Sequence, residues 1–192
     1  GGGTAEGYFK GLLDEVRVYG SALPSDDVLT LEEAVLDGDA DGFDNYTESL
    51  FGTDPERADS DGDGLSDWDE VMTYHTDPAR GDTDGDRIPD GWEAAHGMDP
   101  NQGSDGVEDP DSDGLTNYEE YVNETDRLDP DTDSDGLLDG EEVHDHRTNP
   151  LLADSDGDGI PDKWEIENGL NPNFTADGQH DPDEDGLLNY YE

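Results

Sequence analysis

Hydrophobic residues are sparse along this chain, and many of them recur at one fixed place within a repeated acidic pattern. Seven segments have Asp at positions 1, 3 and 5, a hydrophobic residue at position 7, Asp or Asn at position 9 and Glu at position 12. The pattern predicts an acidic loop followed by a short helix, against which the position-7 side chain packs. The position-7 residues are Phe43, Leu65, Ile88, Leu115, Leu137, Ile160 and Leu187.

The seven segments, called motifs 1 to 7 in chain order, form a larger repeat. They begin at positions 37, 59, 82, 109, 131, 154 and 181, so successive starts differ by 22, 23, 27, 22, 23 and 27. The larger unit is a triplet of motifs, with complete copies at 37–108 and 109–180 and a partial copy at 181–192. This regular phase indicates duplication of a structural unit, because a disordered acidic run has no reason to keep it.

The members of a triplet differ in consistent ways. First-type motifs (1, 4 and 7) have Asn-Tyr at positions 9 and 10, and third-type motifs (3 and 6) have Pro at position 8 and Trp at position 11. Motifs 2 and 5 are the second type. In the third-type motifs, helices at 90–96 and 162–168 are expected to stop at Gly97 and Gly169, both placed as C-terminal caps. Helices of one or two turns are marginal by themselves.

Composition argues against a large apolar core. The 192 residues carry 56 Asp and Glu against 8 Lys and Arg, a net charge of -48, and only 29% of them are hydrophobic. Such a chain repels nucleic acid and anionic membranes, and no apolar run approaches the ~20 residues of a membrane helix. There is no cysteine, so neither disulfides nor thiolate metal sites can stabilise it. Metal cations are the obvious remaining partners.

The spacing of the motif is that of an EF-hand calcium loop. In such a loop positions 1, 3 and 5 supply carboxylates, position 7 a backbone carbonyl, position 9 a direct or water-mediated oxygen and position 12 a bidentate Glu. Calcium takes six to eight oxygen ligands, whereas magnesium, which is smaller and octahedral, would use a bidentate Glu poorly. The predicted ligands are Asp37, Asp39, Asp41, Phe43, Asn45, Glu48, Asp59, Asp61, Asp63, Leu65, Asp67, Glu70, Asp82, Asp84, Asp86, Ile88, Asp90, Glu93, Asp109, Asp111, Asp113, Leu115, Asn117, Glu120, Asp131, Asp133, Asp135, Leu137, Asp139, Glu142, Asp154, Asp156, Asp158, Ile160, Asp162, Glu165, Asp181, Asp183, Asp185, Leu187, Asn189 and Glu192.

Position 6 must turn sharply and is glycine in six of the motifs. Motif 3 has Arg87 there, which would cost roughly 1 to 2 kcal/mol in a left-handed conformation and brings positive charge near the ion. Motif 3 is therefore expected to be the weakest of the complete sites.

The charge balance explains how such a chain can fold. Four motifs offer five ligand carboxylates and three offer four, so 32 of the 56 acidic residues lie at ligand positions. About seven calcium ions would bring +14 and leave -34. The expected fold is a calcium-stapled tandem repeat array of short helices and EF-hand-like loops with little regular sheet.

Residues 37–192 resemble the bacterial thrombospondin type 3 repeat, whose units read much like DSDGDGLSDWDEVMTYHTDP and DGDADGFDNYTESLFGTDP in this chain. The resemblance implies a secreted or surface protein in which calcium-loaded repeats form a stalk, a spacer, or an adhesive or filament element. Dockerins, which bind a partner domain, also pair calcium loop-helix units, although they usually have two units that end the loop in Asp. A protein-recognition module is therefore the alternative.

Residues 1–36 differ in composition. GYFKGLLDEVRVYGSALPSDDV is similar to the closing strands of a laminin-G-like or concanavalin-like jelly roll, which implies a β-strand and a short helix. The segment either ends a truncated upstream domain or lends its strand to another chain, which would make the protein self-assemble. Neighbouring domains are thus expected partners.

The remaining features favour ordinary explanations. The aromatic residues at positions 10 and 11 are interpreted as packing between repeats rather than as a sugar-binding platform. The five histidines follow no shared spacing, and a zinc site would need more ligands than the His144 and His146 pair. No catalytic constellation is present in the sequence, so we expect a protein that is not an enzyme.

Overall fold

The computed structural model of the chain describes residues 36–180 and 188–189. The predicted N-terminal strand and most of motif 7 lie outside the described residues. The described part contains six short helices and no β-strand, in agreement with a repeat array that has little sheet. No helix within it has the length and apolar character needed to cross a membrane. The helices are α1 (Asn45–Phe51), α2 (Asp67–Asp69), α3 (Asp90–Ala95), α4 (Asn117–Asn123), α5 (Asp139–Glu141) and α6 (Asp162–Asn168).

Every helix begins at position 9 of its motif, because position 8 serves as the N-cap. The position-8 residues have extended backbone, and the side chains of Asp44, Ser66 and Thr116 accept a hydrogen bond from a backbone N–H of the first turn. Thr116 and Glu119 form a reciprocal capping box. Positions 9 and 12, both predicted ligands, therefore lie one turn apart on each helix.

The second-type motifs are one position longer than the first-type motifs because their helices contain one extra residue. There α2 and α5 continue as π-helices, Glu70–Tyr74 and Glu142–His146. After α1, Thr53 donates its N–H to the carbonyl of Glu48, five residues back, and after α2 Thr76 donates to the carbonyl of Glu70, six residues back. The π-turn accommodates the inserted residue, so in both motifs the threonine after the helix donates its N–H to the carbonyl of the position-12 glutamate.

The interior combines few apolar side chains with many acidic ones. Five of the six described position-7 residues are buried, as predicted, while Leu65 is half-buried. The largest fully buried side chains are Ile88, Leu115 and the position-12 glutamates. The expectation that the aromatic residues bury between repeats holds only in part, since Tyr46 is 51% exposed and Trp68 is 37% exposed. Carboxylates therefore occupy the volume that an ordinary core would fill with apolar groups.

Motifs 3, 5 and 6 are each joined to the preceding motif by a hydrogen bond from position 10 of the helix to the position-5 aspartate of the preceding loop. Gly140 donates its N–H to Asp113 Oδ2 at 3.0 Å, and Lys163 donates to Asp135 Oδ2 at 3.2 Å. Gly91 makes the same contact with motif 2. At Gly91 and Gly140 a Cβ would run into the backbone of the preceding loop. At these two junctions the close approach therefore needs glycine, whereas motif 6 makes the same hydrogen bond with Lys163.

Candidate metal sites

Each described acidic loop is held by hydrogen bonds from its own backbone to the aspartates at positions 1, 3 and 5. In motif 2, Asp61 Oδ1 accepts the N–H of position 5 at 3.3 Å, and Asp63 Oδ1 accepts the N–H of Leu65 at 2.8 Å. Asp59 accepts the N–H groups of positions 4 and 6. The same position-3 and position-5 bonds recur in the other described loops. The Oδ1 of each described position-3 aspartate is thereby fixed and its Oδ2 is left unpartnered, whereas Asp59 accepts through both oxygens.

Position 6 adopts the predicted left-handed backbone in every described motif. The glycines there have φ between 98 and 117°, and Arg87 has φ 86°. The Arg87 guanidinium carbon lies 5.7 Å from the centre of the Tyr118 ring in the next motif. A cation–π contact therefore compensates part of the backbone strain of Arg87.

The position-12 glutamates are the most unusual residues of the site. All six described ones have no exposed surface, and each has at least one buried side-chain oxygen without a hydrogen-bond partner in the described part of the chain. Burial, reinforced by repulsion from nearby aspartates, raises the pKa of Glu93 to about 9. The same causes raise the pKa of Glu70, Glu120, Glu142 and Glu165 to about 8 and that of Glu48 to about 7.

Position-3 aspartates contribute further free oxygens around these glutamates. Their Oδ2 atoms are buried and unpartnered within the described residues, as is the Oδ2 of several position-5 aspartates. Uncompensated buried carboxylates are costly, so such a cluster is stable in its ionised form only with a cation between the oxygens. The atoms concerned belong to Asp39, Asp41, Asp61, Asp84, Asp86, Asp111, Asp133, Asp156 and Asp158.

Position 9 contacts more than its own loop. Ligand atoms of Asp63, Glu70 and Asp90 all lie within 4.8 Å of one another, so the position-9 residue of motif 3 joins the site of motif 2. Asp90 Oδ1 also accepts the N–H of Thr83 in its own loop at 2.8 Å, while Oδ2 is buried without a partner. Asp90 therefore links motifs 2 and 3 as well as closing its own loop.

The third-type sites contain an acidic residue that the motif pattern did not include. Ligand atoms of Asp156, Asp158, Glu165 and Asp177 lie within 4.8 Å of one another. In the other triplet, Asp105 is the matching residue. The Oδ2 of each accepts a spacer N–H, and the Oδ1 of each is buried and unpartnered among the described residues. An Asp-Gly pair repeated at the same phase of the spacer after each third-type helix was the sequence signal for these ligands.

This spacer also explains why motifs 4 and 7 have Asn at position 9. Asn117 Nδ2 donates to the backbone carbonyl of Asp105, and Asn189 Nδ2 donates to that of Asp177, both at 2.8 Å. The preceding third-type cluster already has the spacer aspartate, so position 9 supports that residue instead of adding another charge. An Asp could not donate this hydrogen bond when ionised.

The clusters fit calcium. They offer only carboxylate and amide oxygens, which calcium binds six to eight at a time with variable geometry. Most predicted ligands lie around these clusters, whereas Asp181, Asp183, Asp185, Leu187 and Glu192 lie outside the described residues. Coordination by the position-7 carbonyls remains a prediction.

The model of one protein family, described as Bacterial TSP3 repeat, matches four segments: 59–81, 82–103, 131–153 and 154–173. The four matched segments are the second- and third-type motifs of both triplets, and together they cover 88 of the 192 residues. The match supports a calcium-binding repeat region in this part of the chain. No curated protein and no solved structure matches the chain. The preceding jelly-roll domain is not supported by any of these matches.

Proposed function

We propose that this chain is an extracellular structural segment in which calcium ions stiffen the TSP3 repeats into a stalk, spacer or adhesive element. The observation that carries the proposal is the set of six fully buried position-12 glutamates with unpartnered oxygens. Burying these carboxylates without a cation is unfavourable, so folding and ion binding are coupled.

The proposed ligand set is the one predicted from the motifs, extended by Asp105 and Asp177. About seven ions are proposed, one for each motif. Residues 37–108 and 109–180 are proposed as the structural units, because the same contacts recur at matching positions within both. Extracellular calcium, at millimolar concentration, suits loops with dissociation constants of ~10⁻⁴ to 10⁻³ M.

Contacts between motifs support a mechanical role. In motifs 3, 5 and 6, position 10 of the helix is hydrogen-bonded to the preceding loop, and Asp90 of motif 3 joins the preceding carboxylate cluster. An ion at such a cluster therefore ties two motifs together, and loading several sites in succession would restrict bending along the array.

Small-angle scattering of the full chain, with calcium and with chelator, tests this proposal. We expect an extended, stiffer particle with calcium and a loosened chain after chelation. A calcium-loaded particle that is globular, or that binds a partner domain with nanomolar affinity, would instead support a recognition module.

Counting bound ions by native mass spectrometry tests the ligand assignment. Glu120→Gln should remove one ion, because Glu120 has no exposed surface and two unpartnered oxygens in the described structure. Glu108→Gln, which removes the same charge at an exposed position, is the matched control. An unchanged ion count in the Glu120 variant would contradict the assignment.

A further inference from the structure

We propose that the two second-type sites, in motifs 2 and 5, accept Mg²⁺ as well as Ca²⁺, whereas the first- and third-type sites select Ca²⁺. This inference rests on the proposed calcium function. It divides the array into sites of different metal selectivity, which the common motif pattern does not.

The position-12 glutamate differs between the site types. In the first- and third-type sites that the structure describes, both of its oxygens are buried and unpartnered. In the second-type sites, Thr76 Oγ1 donates to Glu70 Oε1 at 3.3 Å, and Thr148 Oγ1 donates to Glu142 Oε1 at 3.0 Å. Only the Oε2 of Glu70 and Glu142 remains free. These two fully buried glutamates are thus prepared to bind an ion through a single oxygen.

The π-helix accounts for this difference. It adds one residue between the glutamate and the threonine that follows it, so the second-type threonine is six residues away rather than five. In first-type motif 1, the hydroxyl of Thr53 donates instead to the backbone carbonyl of Glu48 at 3.4 Å. The carboxylate of Glu48 stays free to bind through both oxygens.

The other acidic groups of the second-type sites are also limited to one oxygen. Asp90 and Asp162 each use Oδ1 to accept a backbone N–H, from Thr83 and Ser155, and keep a buried, unpartnered Oδ2. By contrast, each third-type site has five unpartnered oxygens from four residues, two of them on one glutamate. The second-type sites therefore offer fewer unpartnered side-chain oxygens than the third-type sites, which leaves room for water.

Coordination chemistry turns this difference into selectivity. Mg²⁺ requires a near-octahedral shell at about 2.0–2.1 Å, dehydrates reluctantly and is usually bound through one or two carboxylates plus water. A bidentate glutamate raises the coordination number and favours Ca²⁺, which takes six to eight oxygens. Hence the monodentate second-type sites suit both ions and the bidentate sites suit Ca²⁺.

Calorimetric titration of the metal-free full chain with MgCl₂, and separately with CaCl₂, tests the inference. We expect two Mg²⁺ ions per chain, and we expect saturating Mg²⁺ to weaken Ca²⁺ binding at two sites only. Equal Mg²⁺ competition at every site, or none at any, would overturn the inference. If Ca²⁺ itself fails to bind, the proposed function fails, whereas Ca²⁺ binding without Mg²⁺ binding refutes only the selectivity.

Three threonine variants identify the cause. Thr76→Val frees Glu70 Oε1 with little change in shape, so Mg²⁺ affinity at one site should fall at least about tenfold while Ca²⁺ affinity does not fall. Thr76→Ser keeps the hydroxyl and should keep Mg²⁺ binding, which separates the hydrogen bond from packing. Thr53→Val is the matched control and should leave both Mg²⁺ ions bound. Unchanged Mg²⁺ affinity in folded Thr76→Val would contradict the role of the hydroxyl.

Discussion

Replacing Gly140 with alanine tests how closely consecutive motifs must pack. Gly140 lies in α5 at the contact between motifs 4 and 5, with its N–H bonded to Asp113 Oδ2 at 3.0 Å. An added Cβ would press on the carbonyl oxygen of Asp113 and lie 3.1 Å from the carbonyl carbons of Asp113 and Gly114. Backbone atoms cannot move aside as a flexible side chain can, so the helix must shift.

Several effects of known size compete in this variant. Overpacking costs about 1–3 kcal/mol, and losing a hydrogen bond to a charged acceptor costs about 1.5–3 kcal/mol. Alanine is better than glycine inside a helix by about 1 kcal/mol, which opposes these losses. The net expectation is a destabilisation of about 1.5–5 kcal/mol, opposite in sign to the usual effect of Gly→Ala in a helix.

Amide hydrogen exchange in saturating calcium measures this effect locally. We expect exchange of the protected amides of Glu142–His146 to accelerate at least about tenfold, since a factor of ten corresponds to about 1.4 kcal/mol. Lys163→Ala is the control, because the same helix position in motif 6 already carries a Cβ. Unchanged or slower exchange in the Gly140 variant would refute the close packing of these motifs.

Three further predictions concern individual sites and pH. Arg87→Gly should tighten calcium binding to motif 3 by at most about 1.5 kcal/mol, because relief of about 1–2 kcal/mol of backbone strain is partly offset by losing about 0.5–1 kcal/mol of cation–π contact with Tyr118; weaker binding in a calcium titration would contradict this. Asp105→Asn should weaken the same site about tenfold or more in that titration, whereas exposed Glu108→Gln should not. In the metal-free chain, burial raises the pKa of carboxyls such as Glu93 from 4.5 to about 9, so the folded state binds more protons than the unfolded state. The folded state therefore loses stability as pH rises from 4.5 to 9, and the helical circular dichroism signal should decrease over that range. Constant helicity over that range in metal-free protein would show that these carboxyls are not buried before the metal binds.

Much of the local structure could be predicted from motif spacing. The turn at position 6, the burial of most position-7 side chains and the left-handed glycines after α3 and α6 all follow from steric limits on single residues. Arg87 shows the strength of this reasoning, since its φ is positive although it is not glycine. Local backbone preferences are readable because they involve only a few neighbouring residues.

Which residues form each metal site was harder to predict from the sequence. The EF-hand pattern assigns position 9 to its own loop, whereas Asp90 lies beside Asp63 and Glu70 of the preceding motif. Asp105 and Asp177 lie in a spacer, beyond the helix that carries the position-12 glutamate of the same site. Such partners are set by the way consecutive motifs pack, which a single-loop pattern does not contain. The threonines that bind Glu70 and Glu142 depend on a π-turn that propensity does not reveal.

Anomalous diffraction from crystals grown in millimolar calcium can show whether calcium occupies the clusters around the buried position-12 glutamates. We expect an anomalous peak about 2.3–2.6 Å from at least one carboxylate oxygen of each of these glutamates. Well-ordered crystals with no peak at these clusters would contradict this expectation.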